Sequence, residues 1–204
     1  MIELNHVGEA LICELINRSN ATKSTLTDAM GIDSSTFIAI PEIRLDSCAG
    51  LIFDGVHKVD VCVLDTEAMT CFPIEAKLGL DRLSKNEFAK RFMKPCKTSH
   101  NDTRVSGSMI SILERQLPAQ CIDQELYVTY LGEKYLVSDQ WGLIARSAVH
   151  DKWSTNGFPT LSFNCKHLAF EDLARSYGDK DSFNSLIAEM LEVDFYEQWV
   201  KSAR

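Results

Sequence analysis

The amino-acid sequence predicts a mixed α/β protein in which one helix precedes a group of strands and two helices end the chain. Three observations predict this class. Apolar residues recur at helical spacing over residues 4–17. Two short runs rich in Val, Ile and Phe lie within 58–77 and are separated by turn-prone residues, which is typical of strands. Apolar residues return to helical spacing over 168–177 and 182–202.

Length and composition favour one soluble globular domain over residues 1–204. Apolar residues make up 45% of the chain and charged residues 25%, both ordinary values. The sequence has no apolar run of the roughly 18 to 20 residues that a membrane-spanning helix needs. The first residues carry acids and no basic head, which argues against a signal peptide. We therefore predict a cytoplasmic protein without a membrane partner.

The cysteines favour free buried thiols. Seven are present, widely spaced and without a CxxC pair, so a disulfide framework is not expected. Cys165 and His167 are the only close Cys/His pair, and two ligands fall short of a closed zinc site.

In the first part of the chain, the pattern predicts a helix over 4–17 that is closed by Arg18-Ser19-Asn20 and followed by a polar connection. A first strand over 35–45 is interrupted by Pro41, and Asp54-Gly55 predicts a hairpin turn.

Beyond residue 80, a helix is predicted over 84–94, where Ser84 is a candidate cap and Pro95 a stop. A polar loop follows. A helix over 108–117 ends at Pro118, and its start either binds an anion or is an ordinary cap. Further strands and the two final helices are predicted over 125–131, 134–137, 141–149, 168–177 and 182–202.

The segment 58–77 carries the most informative side chains. Strand alternation places Glu75 and Lys77 on one face, and pairing of the two strands brings Asp60 close to Glu75. Val59, Val61 and Val63 are expected on the opposite face from Asp60. Since Pro73 has no N–H, the second strand is expected to be bulged or locally unpaired near it.

An acidic residue followed after about ten to twenty residues by Glu-x-Lys resembles the core motif of the PD-(D/E)XK nuclease superfamily. Asp60, Glu75 and Lys77 match it residue by residue, whereas Val59 stands where the usual Pro of the Pro-Asp dipeptide would be. The resemblance implies a restriction-endonuclease-like fold, a central mixed β-sheet flanked by helices on both sides. It covers roughly 8–131, and the helical extension over 168–202 is not part of it.

The resemblance also implies a metal-dependent nuclease that hydrolyses phosphodiester bonds, most directly of DNA. Asp60, Glu75 and the backbone carbonyl of Ala76 are the expected ligands of Mg²⁺, for which Mn²⁺ would substitute. Lys77 would orient the attacking water and stabilise developing negative charge. Family members often add an acid from the first helix, and we expect Glu9 in that role ahead of Glu14.

Charge is distributed unevenly along the chain. The net charge is −8, yet residues 77–115 hold nine basic and four acidic residues and are therefore +5. Such a segment beside an acidic metal site suits a phosphodiester substrate, although a solvated helix face would have the same pattern. The residues expected to bind nucleic acid are Arg82, Lys85, Lys97, Arg104, Ser106 and Ser108.

Two alternatives remain at this point. The Asp60, Glu75 and Lys77 side chains could form a half-exposed ion-pair cluster, although such clusters contribute only about 0 to 1 kcal/mol. The chain could also be a catalytically inactive nuclease-fold module that binds nucleic acid or a protein partner. A homodimer would be needed to cut both strands at one place, but no residue demonstrates one.

Overall fold

A computed structural model of the chain describes residues 4–32, 36–47, 52–53, 57–78, 86, 89–90, 93–99, 103–121, 125–154 and 164–202. Its helices are α1 (Leu4–Arg18), α2 (Asn20–Met30), α3 (Met109–Leu113), α4 (Ser147–Ser154), α5 (Phe170–Tyr177) and α6 (Lys180–Ser202). Its strands are β1 (Phe37–Ser47), β2 (Ile52–Phe53), β3 (Lys58–Asp65), β4 (Thr70–Lys77), β5 (Lys97–Ser99), β6 (Arg104–Ser106), β7 (Leu126–Tyr130), β8 (Glu133–Val137), β9 (Trp141–Ala145) and β10 (Cys165–Ala169).

The main sheet is mixed and has seven strands in the order β10-β9-β4-β3-β1-β7-β8. The strands β1, β3 and β4 form an antiparallel meander, whereas β9 runs parallel to β4 and β10 parallel to β9. The strand β8 also pairs with the beginning of β4, through Thr70↔Leu136 and Cys71↔Val137. Since β8 thus bonds β4 as well as β7, the five strands β1, β3, β4, β8 and β7 close into a barrel.

Pro73 lies where β4 changes neighbours. Its pairing with β3 keeps one register from Val61↔Ile74 to Asp65↔Thr70, so no bulge forms there. On the other edge β4 pairs with β8 up to Cys71 and with β9 from Ile74. The expected local unpairing is therefore present on one edge only, and the residue without an N–H falls at the break in that ladder.

Helices lie against both faces of the main sheet, as predicted. Buried residues of α1, α2, α5 and α6 pack with one face, which includes Val61, Val63, Ile74 and Ile144. On the other face, α3 and α4 contribute to a cluster with Trp141 and Leu143 of β9. A third cluster fills the barrel; among its members are Leu45, Cys62, Leu64, Cys71, Leu126, Val128, Tyr135 and Val137.

The region after α1 corrects one prediction. Residues 20–30 form a second helix rather than a polar connection. Ser19 caps it by accepting a hydrogen bond from the Thr22 N–H, and Gly31 ends it in the left-handed conformation at φ 68°. The helix is stable despite its polar sequence because Thr22, Leu26 and Met30, spaced by four residues, are buried on one side.

Five further predictions are wrong in detail. The first strand is not interrupted at Pro41, since β1 continues through it and Pro41 pairs with Val61. The helix expected over 108–117 is α3, which ends at Leu113. The loop expected after Pro95 contains the short strands β5 and β6. The strand expected over 141–149 ends at Ala145, and α4 begins at Ser147. The helix expected from Leu168 begins at Phe170, because the preceding residues form β10 beside β9.

Some predictions fall outside the described residues. These are the turn at Asp54-Gly55 and most of the helix over 84–94. Of that helix, residues 86, 89 and 90 are described and helical, whereas residues 93 and 94 are described and not helical, so the helix ends before the predicted residue 94. Among the helices that the structure describes, none is both long and apolar enough to cross a bilayer.

Candidate functional site

Asp60 of β3 and Glu75 and Lys77 of β4 meet on one face of the main sheet. The β3–β4 register runs from Asp65↔Thr70 to Val61↔Ile74, so the next position brings Asp60 beside Glu75. Lys77 Nζ donates hydrogen bonds to Asp60 Oδ2 at 2.9 Å and to Glu75 Oε2 at 2.6 Å. The Ala76 N–H also donates to Asp60 Oδ2, at 2.8 Å. The three predicted side chains therefore converge.

The prediction that Val59, Val61 and Val63 share one face of the sheet is only partly correct. Val61 and Val63 pack on the α1 side of the sheet, but Val59 packs in the barrel with Cys62 and Leu64. The alternation changes at Asp60. Glu42, on the neighbouring strand β1, has a φ of 54°, and the described β1–β3 pairs skip Glu42 and Asp60. The change in side of Val59 therefore coincides with this irregularity.

The site is buried unequally. Glu75 is a buried charged residue at 2% exposure, whereas the side chains of Lys77 and Asp60 are 11% and 19% exposed. Among the described residues, Glu75 Oε1 is buried and has no hydrogen-bond partner. A buried carboxylate oxygen without a donor is costly, so this oxygen is the place where the site is incomplete.

Burial also determines the proton affinity of the site. Burial, followed by repulsion from the Asp60 carboxylate, raises the pKa of Glu75 to about 8, against the opposing effect of Lys77. Burial alone would lower the pKa of Lys77, but attraction to Glu75 and Asp60 outweighs it and raises that pKa. Lys77 consequently remains an ammonium ion.

Asp60 and Glu75 are the side chains of this site that could hold a hard divalent cation. Among the described residues, no cluster of three or more His, Cys, Asp or Glu side chains is placed to hold a metal. Mg²⁺, however, is usually held by only one or two carboxylates and retains several waters. Asp60 and Glu75 supply two, one of them with the unsatisfied oxygen Oε1.

The two acids of α1 lie in different surroundings. Glu14 forms an ion pair with Arg18, which also pairs with Glu189 of α6. Glu9 has a buried Oε2 and follows Gly8, where an added Cβ would lie 2.9 Å from Leu78 Cδ1. Since Leu78 directly follows Lys77, the start of α1 approaches the end of β4 on which the site lies.

The residues expected to bind nucleic acid divide into three groups. Lys97, Arg104 and Ser106 lie on β5 and β6, where Lys97 pairs with Ser106. Ser108 is the N-cap of the short helix α3 and accepts a hydrogen bond from the Ser111 N–H, which is the ordinary cap of the two alternatives. Arg82 and Lys85 lie outside the described residues.

Two features were not assigned a role from sequence. Lys90 and Lys94 are exposed; their position in the basic segment 77–115 was a usable signal. His167, on β10, approaches His150 of α4 with 3.2 Å between the Nδ1 atoms. Sequence gives no hint of that pair, because the two residues meet only when α4 packs on β10. Cys165 is buried and does not share a described ligand cluster with His167.

Comparison with known proteins found no match to this chain among protein-family models, curated proteins or solved structures.

Proposed function

We propose that the protein is a metal-dependent nuclease that hydrolyses phosphodiester bonds of nucleic acid, with DNA as the first substrate to test. The observation that carries the proposal is the convergence of Asp60, Glu75 and Lys77, with Lys77 Nζ within 2.9 Å of both carboxylates. An ion-pair cluster of this kind contributes little to stability when exposed and is costly to bury, so stability alone gives no reason for it.

The order of elements supports a restriction-endonuclease-like core. The helices α1 and α2 precede the meander β1-β3-β4, α3 follows the short strands β5 and β6, and β9 later returns parallel to β4. This order agrees with the motif resemblance, in which the acid and the Glu-x-Lys lie on adjacent strands.

The residues divide the chemistry among them. Asp60, Glu75 and the Ala76 carbonyl would hold Mg²⁺ or Mn²⁺. When bound, such a cation lowers the pKa of a coordinated water and neutralises charge on a phosphate. Lys77, a permanent ammonium between the two carboxylates, orients a water and stabilises negative charge that develops on the phosphate oxygens. The Ala76 N–H holds Asp60 in place by donating to Oδ2.

The test is cleavage of linear, circular and single-stranded DNA, and of RNA, with Mg²⁺, Mn²⁺ or EDTA. We expect cleavage by the wild type that requires the cation, and a rate lower by about 10²- to 10³-fold in Lys77→Ala. Asp60→Asn, which preserves the shape of the side chain, should lose activity to a similar extent. Equal cleavage by wild type and Lys77→Ala would indicate a contaminating nuclease and would refute the proposal.

Lys58→Ala is the matched control. Lys58 lies on β3, the strand of Asp60, and like Lys77 it forms an ion pair with a carboxylate, that of Glu42 at 3.0 Å. Unlike Lys77, it is exposed and is not part of the site. The control should cleave at the wild-type rate. Thermal unfolding of every variant separates loss of activity from loss of folding.

One observation favours a second candidate, the inactive module that binds nucleic acid or a protein partner. Lys77 already donates a hydrogen bond to each of the two carboxyl groups and so holds them together. Titration calorimetry compares Mn²⁺ binding by wild type and Asp60→Asn. If wild type shows no Mn²⁺ binding that is lost in Asp60→Asn, and no substrate is cleaved, the inactive module is the better description. Cation-dependent cleavage that Lys77→Ala removes excludes it.

A further inference from the structure

The small sheet β2-β6-β5 presents one polar face. Val105, at the centre of β6, is buried in the barrel cluster together with Phe53 of β2. Strand alternation therefore turns Arg104 and Ser106 to the opposite face. Their partners on β5 are Ser99 and Lys97, respectively. We name Lys97, Ser99, Arg104 and Ser106 the polar face of the small sheet.

Lysines that have no ion pair with a described residue lie on the polar face and close to it in sequence. Elsewhere on this acidic chain several exposed cations form ion pairs, such as Arg18 with Glu189 and Lys58 with Glu42, although Lys180 has none with a described residue. Lys97 is exposed and has no ion pair with any described residue, and the same holds for the nearby Lys90 and Lys94. A surface with this excess of cations suits a polyanion.

The polar face is connected to the beginning of the strand that carries Asp60. His57 Nε2 lies 3.1 Å from the carbonyl oxygen of Gly107, the residue that follows β6. The His57 carbonyl accepts a hydrogen bond from the Leu45 N–H at 2.9 Å, and β3 begins at the next residue. Asp60 is three residues beyond His57, so the small sheet is joined to the same end of β3 as the site.

We propose that the polar face of the small sheet binds the phosphodiester backbone of nucleic acid and directs it to Asp60, Glu75 and Lys77. The inference rests on the proposed nuclease function and names where its substrate binds. Ile52 of β2, the partner of Arg104, lies on the same face and is 47% exposed. The four side chains of the polar face are cationic or hydroxyl groups, which bind phosphate oxygens, and such contacts position a nucleic acid without reading its sequence. Binding at this face is therefore independent of base sequence.

The experiment measures binding in EDTA, where no cleavage occurs, of labelled duplex and single-stranded DNA of mixed sequence at several salt concentrations. We expect Lys97→Ala and Arg104→Ala each to weaken binding. Each should also reduce the slope of log K against log salt by about 0.9 on duplex or about 0.7 on single strands. The form that shows the shift identifies the preferred strand state.

Lys180→Ala is the matched control, because Lys180 is exposed at the start of α6 and has no ion pair with any described residue. It should leave the slope unchanged. The inference is refuted if wild type binds neither form, if the slopes of Lys97→Ala and Arg104→Ala equal that of wild type, or if Lys180→Ala shifts the slope as much. Cleavage does not enter this measurement. If the slope shifts but no substrate is cleaved, the binding surface is supported and the nuclease function is refuted. If substrate is cleaved but the slopes are unchanged, the nuclease function is supported and the binding surface is refuted.

Discussion

Lys77 is held by two carboxylates in a place with little access to water. Removing either partner from a buried charged group leaves an uncompensated charge, which costs several kcal/mol. Burial, followed by repulsion from Asp60, raises the pKa of Glu75 to about 8, so burial of this carboxyl group favours its protonated form. Asp60 accepts hydrogen bonds from both Lys77 and the Ala76 N–H.

The raised pKa of Glu75 predicts a component of stability that depends on pH. The folded protein retains a proton at Glu75 that the unfolded chain releases above the ordinary value of 4.5. The stabilisation is therefore complete below 4.5 and is lost as the pH rises towards 8, by at most about 1.4 kcal/mol per pH unit. Glu75→Gln lacks this component. Urea unfolding of both proteins should give a wild-type minus Glu75→Gln free-energy difference that falls as the pH rises.

Glu133→Gln serves as the control for that measurement, because Glu133 is an exposed glutamate at the start of β8. Its unfolding free energy should follow that of wild type at every pH. Parallel pH curves for wild type and Glu75→Gln would contradict the account of the buried proton.

At the scale of single residues, the sequence predicts the side-chain positions that depend on one strand or on one pair of adjacent strands. Glu75 and Lys77 share a face because the side chains of a strand alternate. The side taken by Val59 could not be predicted, because the alternation changes where β3 pairs with an irregular stretch of another strand, at Glu42 with its φ of 54°.

At the scale of elements, the stability of α2 depends more on the hydrogen bonds at its ends than on the helix propensity of its residues. Its sequence contains three threonines and a serine, which are modest helix formers. Ser19 Oγ accepts a hydrogen bond from the N–H of the buried Thr22 at 3.2 Å. We expect Ser19→Ala to lower the free energy of unfolding by about 1 kcal/mol, since that N–H would lose its acceptor. Urea unfolding measures the difference.

Ser24→Ala is the control for the cap. Ser24 lies inside α2 and is exposed, so alanine there should be neutral or slightly stabilising on helix propensity. Equal destabilisation by both substitutions would mean that the Ser19 cap contributes nothing specific.

The elements that sequence missed are those formed by tertiary contacts. The strands β5 and β6 have three residues each and are defined by pairing with each other and by burial of Val105 in the barrel. The strand β10 forms because it lies beside β9. Their own sequences are too short to show a period. By contrast, α1 and α6 are long, and their predicted bounds agree with the structure to within two residues.

At the scale of the whole molecule, the barrel is the feature that local sequence does not contain. Its closure joins Thr70 and Cys71 of β4 to Leu136 and Val137 of β8, across more than sixty positions of the chain. The closure leaves β4 with two successive neighbours, β8 and then β9. Glu75 and Lys77 lie in the second half, beside β9. The site is therefore located where the barrel ends and the open part of the sheet begins.

Barrel closure predicts different losses of unfolding free energy for alanine substitution of two leucines in the β7–β8 hairpin. Leu126 is fully buried in the barrel cluster, whereas Leu136 is 44% exposed. Leu126→Ala should lower the free energy of unfolding by about 2 to 5 kcal/mol, because it removes buried methyl groups and leaves a cavity. Leu136→Ala should cost well under half of that, since most of the loss comes from burial. Urea unfolding of both variants measures the difference. Equal and small costs would mean that the hairpin does not enclose a core, and equal and large costs would mean that both of its faces are covered.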